Sequence, residues 1–131
     1  MRNVMILFIF GVLCLTFSST CFAMSEKEMC DIMRKYVRDQ SKKVPVKLDK
    51  ITELIKISGN CKRTTMYTTK AFTISESRLP ANMRTIMQKR HTEFNCKKTG
   101  MTGGFGWTAI SYFFDKDSVH IFTLKTSPKD C

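Results

Sequence analysis

Apolar positions divide the chain into four patterned stretches separated by polar, proline or glycine breaks. In the first, Met29, Ile32, Met33, Tyr36 and Val37 recur at helical spacing. They follow Ser25-Glu26-Lys27-Glu28, a capping box in which the Ser25 hydroxyl accepts from the Glu28 N–H and the Glu28 carboxylate accepts from the Ser25 N–H. This predicts a helix that fades toward Val44-Pro45, where the residue before proline is pushed out of the helical region. The second stretch, Val46 to Ser58, fits two periods. Leu48, Ile51, Leu54 and Ile55 make a helical stripe, whereas Ile51, Glu53, Ile55 and Ile57 alternate as in a strand. The strand reading is preferred, because Gly59-Asn60 is a turn signal and Arg63 to Thr73, dense in Thr and aromatics, continues as a second strand. The pair forms a hairpin with Cys61 at its tip.

After a polar, turn-like segment from Ile74 to Pro80, the third stretch predicts a helix over about Ala81 to Phe94. Its shared face carries Met83, Ile86, Met87, Arg90 and Phe94. The fourth stretch is the strongest strand signal. Trp107 to Phe114 and Val119 to Thr126 are aromatic and β-branched, and Asp115-Lys116-Asp117-Ser118 breaks them. A turn centred on Lys116 and Asp117 pairs Phe114 with Val119 and Trp107 with Thr126. The predicted order is therefore helix, hairpin, helix, hairpin: an α+β domain with an antiparallel sheet of about four strands and both helices on one face.

The first 23 residues stand outside that pattern. Arg2 precedes an apolar run from Val4 to Phe17, then small polar residues and Cys21-Phe22-Ala23, which suits a cleaved secretory signal. The run is shorter than the roughly 20 apolar residues that span a bilayer. Neither Cys14 nor Cys21 has the flanking residues of a lipoprotein signal. Residues 1–23 are thus expected to leave a single exported domain, residues 24–131, periplasmic or secreted, with no transmembrane span after cleavage.

Export changes the meaning of the cysteines. Of the six in the chain, Cys30, Cys61, Cys96 and Cys131 lie after residue 23. They form an even set without a CxxC pair, which favours two disulfides over a zinc site. Three pairings are open. The hairpin geometry carries Cys131 back toward Thr102 and so toward Cys96, leaving Cys30 for the hairpin tip at Cys61.

Charge narrows the partners. The chain carries 22 Lys and Arg against 11 Asp and Glu, a formal net charge of +11. Such a bias suits an acidic protein or an anionic envelope polymer and argues against a cationic target. The basic residues fall in two groups, Arg34, Lys35 and Arg38 on the first helix and Arg84, Lys89, Arg90, Lys97 and Lys98 along and beyond the second. Helices lying side by side would merge them into one cationic surface. Nucleic acid is a weaker candidate partner, since no nucleic-acid fold signature accompanies the charge.

Catalytic patterns are sparse. The loop Thr99 to Gly106 is glycine-rich, but no Lys-Ser/Thr pair follows its last glycine and a strand rather than a helix comes next. The phosphate-cradling reading therefore fails. A flexible connection remains, with exposed Met101 and Phe105 as a contact site for a partner. The only two histidines, His91 and His120, invite the paired-imidazole chemistry of small secreted nucleases. No spacing makes them converge, and a solvent-facing His91 with a partly covered His120 is the expectation. No GxSxG elbow occurs, and the cysteines are expected to be oxidised. Asp115 and Asp117 lack the rest of a calcium loop and read as turn formers.

Together these features describe an exported, non-enzymatic binding module without cofactor or metal. Its foremost expected role is accessory to a cell-envelope assembly such as a secretion, pilus or conjugation machine. An inhibitor or immunity protein against an acidic effector is the second reading, and a small secreted nuclease or hydrolase using His91 and His120 the third.

Overall fold

The computed structural model describes residues 24–131, so the expected signal segment, residues 1–23, lies outside the described residues. Within them the chain forms helix α1 (Glu26–Ser41), strands β1 (Val46–Lys47), β2 (Thr52–Asn60) and β3 (Thr65–Phe72), helices α2 (Met83–Asn95) and α3 (Met101–Phe105), and strands β4 (Thr108–Phe114) and β5 (His120–Thr126). Short 3₁₀ turns at Glu76–Arg78 and Pro128–Asp130 complete it. The strands make one five-stranded sheet in the order β1-β2-β3-β4-β5.

All neighbouring strands are antiparallel except β3 and β4, which run parallel from Thr65↔Thr108 to Ala71↔Phe114. The sequence expectation of an all-antiparallel sheet of about four strands is corrected here. Between β3 and β4 the chain crosses one face of the sheet through α2 and α3, and a helical crossover brings the chain back in the same direction. The fifth strand, β1, is only two residues long and pairs Val46 with Leu54.

Both helices lie on one face of the sheet. On β4, Ala109 and Phe113 point to that face, Ala109 into a cluster with Met33, Met101 and Trp107, and Phe113 into one with Phe72, Phe122 and Leu124. α1 packs over β2, whereas α2 packs over β5. The helices therefore sit over opposite ends of that face, toward different edges of the sheet, and not side by side. The capping box of α1 is formed, with Ser25 Oγ accepting from the Glu28 N–H at 3.2 Å and Glu28 Oε2 accepting from the Ser25 N–H at 2.9 Å. Its buried stripe is narrower than the hydrophobic pattern suggests. Met33 is 2% exposed, but Ile32 and Tyr36 are 43% and 44% exposed.

Two expected registers shift by bulges. In β2 the pairing slips between Leu54 and Lys56, which turns Ile55 outward and breaks the alternation of Ile51, Glu53, Ile55 and Ile57. In the last hairpin the pairs are Phe114↔His120 and Ala109↔Thr126, with the irregularity at Phe113/Phe114, in place of Phe114 with Val119 and Trp107 with Thr126. Asp115 organises the turn, since its Oδ1 accepts from the backbone N–H of Asp117 at 2.9 Å and of Val119 at 3.0 Å. Those bonds hold the Asp115 carboxyl below its usual pKa, the Val119 bond first.

Disulfides join Cys30 to Cys61 and Cys96 to Cys131, with Cα–Cα distances of 5.6 and 5.3 Å. The first ties α1 to the tip of the β2–β3 hairpin, and the second ties the end of α2 to the chain end beyond β5. The glycine-rich stretch is not a flexible loop: it forms α3. A Cβ at Gly103 would run into the Cys96 carbonyl oxygen, so glycine allows α3 to lie against the end of α2.

Candidate functional site

A half-open groove of about 520 Å³ lies on the helical face of the sheet, between α2 and the loop that joins β1 to β2. Strands β3 and β4, held parallel, form its floor. On β3 the side chains of Met66, Thr68, Lys70 and Phe72 alternate into it, and on β4 those of Ala109, Ser111 and Phe113. One wall is α2, through Met83, Met87, Arg90 and Phe94, and the opposite rim is Asp49 and Ile51. α2 therefore does two jobs. Its His91 and Asn95 are buried, 9% and 5% exposed, whereas Phe94 is 66% exposed at the groove wall.

A chain of polar contacts fixes α2 to the sheet. His91 Nδ1 lies 2.7 Å from Thr126 Oγ1, and His91 Nε2 lies 3.1 Å from Ser111 Oγ. Ser111 Oγ in turn meets Thr68 Oγ1 at 2.7 Å. Gln88 clasps the Lys125 backbone at the edge of the sheet, donating to its carbonyl at 2.9 Å and accepting from its N–H at 3.3 Å. Among the described residues no buried side-chain polar atom lacks a partner, as a well-fastened helix requires. Burial first, and the nearby Lys70 charge second, push the His91 imidazole down to about 4 from 6.5, so it is neutral near pH 7.

Lys70 is the unusual group of the floor. Its ammonium nitrogen stands 5.3 Å from the centre of the Phe113 ring. Burial lowers its pKa, and the opposing pull of Asp49 is the smaller effect.

This arrangement rewrites several sequence expectations. His91 is buried, not solvent-facing. His120 is exposed on the other face of the sheet, with its Nε2 2.9 Å from Thr123 Oγ1 and its ring edge-on to Phe114. The sheet itself separates the two imidazoles, so they do not act on one substrate atom. Ser111 and His91 are in contact, but the second imidazole nitrogen is held by a threonine hydroxyl where a Ser-His-Asp triad has a carboxylate. Met101 is 8% exposed, packed against Trp107 and Met33, and not exposed as the sequence suggested. Phe105 is half-buried against the same cluster.

The basic residues divide between two places. Arg34, Lys35 and Arg38 are exposed on α1, where Arg34 and Arg38 border a shallow hollow with Lys62. Arg84, Lys89, Lys97 and Lys98 are exposed along and after α2, and only Arg90 reaches the groove. Arg34 pairs with Asp31 at 3.8 Å and Lys89 with Glu93 at 4.0 Å. Lys70, Met66 and Asp49 were not singled out from the sequence. A signal for Lys70 was present, since strict alternation in Met66-Tyr67-Thr68-Thr69-Lys70-Ala71-Phe72 puts it on the same side as Phe72. Among the described residues, no group of three or more His, Cys, Asp or Glu gathers to hold a metal ion.

A five-stranded mixed sheet with its helices on one face and an open groove beside one of them defines the class to which the chain can be compared. No family model matches the sequence, and no curated protein matches it. Solved structures do match in fold. A chain from Pseudomonas aeruginosa described as a secreted protein has a TM-score of 0.63 at 13% identity, over 83% of this chain and 97% of that one. The type II secretion system pilotin of Vibrio vulnificus has a TM-score of 0.62 at 8% identity, over 81% and 94% of the two chains. The type II secretion system pilotin of Vibrio cholerae has a TM-score of 0.61 at 7% identity, over 81% and 94%. At these identities the likeness is one of fold.

Proposed function

We propose that this protein is an exported, non-enzymatic binding module, an accessory of a cell-envelope assembly, and that it takes an apolar segment of its protein partner into the groove beside α2. The observation that carries the reading is the groove itself: an apolar wall ending in exposed Phe94, on a helix already fastened to the sheet by His91 and Gln88. A side chain as large as Phe94 left open beside a cavity of about 520 Å³ is surface that a partner would cover. The fold shared with pilotins of type II secretion systems supports an accessory role in secretion and, with it, a protein partner. Export is supported by four cysteines joined in two disulfides, which persist in oxidising compartments. No helix among the described residues is long and apolar enough to cross a membrane.

The test is capture of partners from an envelope extract of the producing organism by the oxidised protein, at low and moderate salt, beside a Phe94→Asp variant. The reading expects one protein partner that survives moderate salt and is lost with Phe94→Asp. The variant itself should unfold within about 0.5 kcal/mol of the parent, as for an exposed site. Capture that vanishes with salt and ignores Phe94 would instead describe a general polyanion binder acting through Arg34, Lys35, Arg38, Arg84, Lys89, Lys97 and Lys98.

A further inference from the structure

Resting on the groove reading above, we infer that the partner segment carries one carboxylate within its apolar face, and that Lys70 on the groove floor is the residue that reads it. Lys70 stands toward the end of β3, between Thr68 and Phe72 on the groove face of the strand and beside Phe113 across it. None of the three ion pairs among the described residues includes it. Its surroundings give it a ring face and a neutral imidazole, with a single acid, Asp49, at the opposite rim. An ammonium group held this way has lost much of its water without gaining a close counter-ion, and burial accordingly lowers its pKa. An incoming carboxylate supplies the missing partner, whereas an uncharged apolar segment leaves the group worse off by sealing it from solvent.

The rest of the lining agrees in sign and size. Its ionisable groups besides His91 are Lys70 and Arg90 against Asp49. Neutral His91 contributes no charge near pH 7. The α2 wall from Met83 to Phe94 extends about 16 Å at 1.5 Å per residue, the length of about three turns of a partner helix or five residues of a strand. One floor cation along that length selects one acid, placed between apolar neighbours that meet Met87 and Phe94. The discrimination arises because both charges are desolvated together, so removing either leaves the other unpaired.

A random peptide display library selected against the oxidised protein tests this directly. The parent should enrich peptides with a single Asp or Glu flanked by large apolar residues. A Lys70→Met variant should keep the apolar preference and lose the acidic one. For an enriched peptide, replacing its acid with glutamine should weaken binding to the parent about tenfold or more, the usual scale for one partner of a covered charge pair, and should not weaken binding to Lys70→Met, where the carboxylate has already lost its partner. The glutamine comparison on the parent protein needs no variant, so it decides even where Lys70→Met folds poorly. Apolar winners without an acid, or equal binding of the glutamine peptide, overturn the role of Lys70 and leave the groove reading standing. Winners indifferent to Phe94→Asp, or no enrichment at all, overturn both.

Discussion

His91 occupies a place where most helices put an apolar side chain. It is neutral there, with both ring nitrogens engaged by hydroxyls, and its pKa of about 4 stands well below 6.5. In the unfolded chain the imidazole takes its proton near pH 6.5. Between that value and about 4 the unfolded state holds the extra proton, so stability is full above pH 6.5 and falls as the pH drops toward 4. The expected loss across that window is about 3 kcal/mol. Asp115 and Asp130, whose pKa values are held down, lose their contribution only at lower pH, in and below the ordinary carboxylate range. Urea midpoints at pH 7.5 and pH 5.0 isolate the imidazole: His91→Gln should lower the midpoint at pH 7.5 and remove most of the difference between the two. An equal difference in both proteins would place the titration elsewhere. Sequence alone leaves His91 in solvent because the stripe it shows on α2, Met83, Ile86, Met87, Arg90 and Phe94, passes beside it. The buried stripe runs through Met83, Met87, His91 and Asn95, and its two polar members hid it from a reading by hydrophobicity.

Helices α1 and α2 were legible as elements for different reasons. α1 announces itself by its capping box. α2 has only Asn82 before it, without a side-chain cap, and its start slid from Ala81 to Met83. The short helix α3 was not legible, since Gly103 and Gly104 argue against helix by propensity. Packing overrides that preference: a side chain at Gly103 or Gly104 would strike the Cys96 or Lys98 carbonyl, so glycine is what lets α3 close on the end of α2. Gly103→Ala then has two opposed effects. Better helix propensity returns up to about 1 kcal/mol, while forcing backbone against backbone costs typically about 1–3 kcal/mol. The expected result is a net loss of about 1–2 kcal/mol in a urea melt, and a stabilised variant would show that the end of α2 gives way easily. The strand directions were likewise hidden. Each hairpin was visible from its own turn, but the parallel join of β3 to β4 depends on a crossover that no local pattern records.

At the scale of the whole molecule, the groove exists only because that parallel join places Lys70 beside Phe113 and brings Asp49 opposite Phe94. No spacing along the chain links these residues, which is why the sequence showed charge and cysteines but not the site. The same assembly depends on its two disulfides. Separations of 31 and 35 residues each correspond to about 3–4 kcal/mol of loop-closure stabilisation. Domains of this size have a net stability of about 5–15 kcal/mol. The two buried clusters are small, and the first, Met33, Met101, Trp107 and Ala109, is held across α1 and the hairpin tip by Cys30–Cys61. Reduction and alkylation should therefore leave most of the protein unfolded at neutral pH, followed by the fluorescence of Trp107, which is 3% exposed in the fold. If the reduced chain instead kept its full urea midpoint, the disulfides would be dispensable, and the case for an oxidising compartment would lose its physical basis.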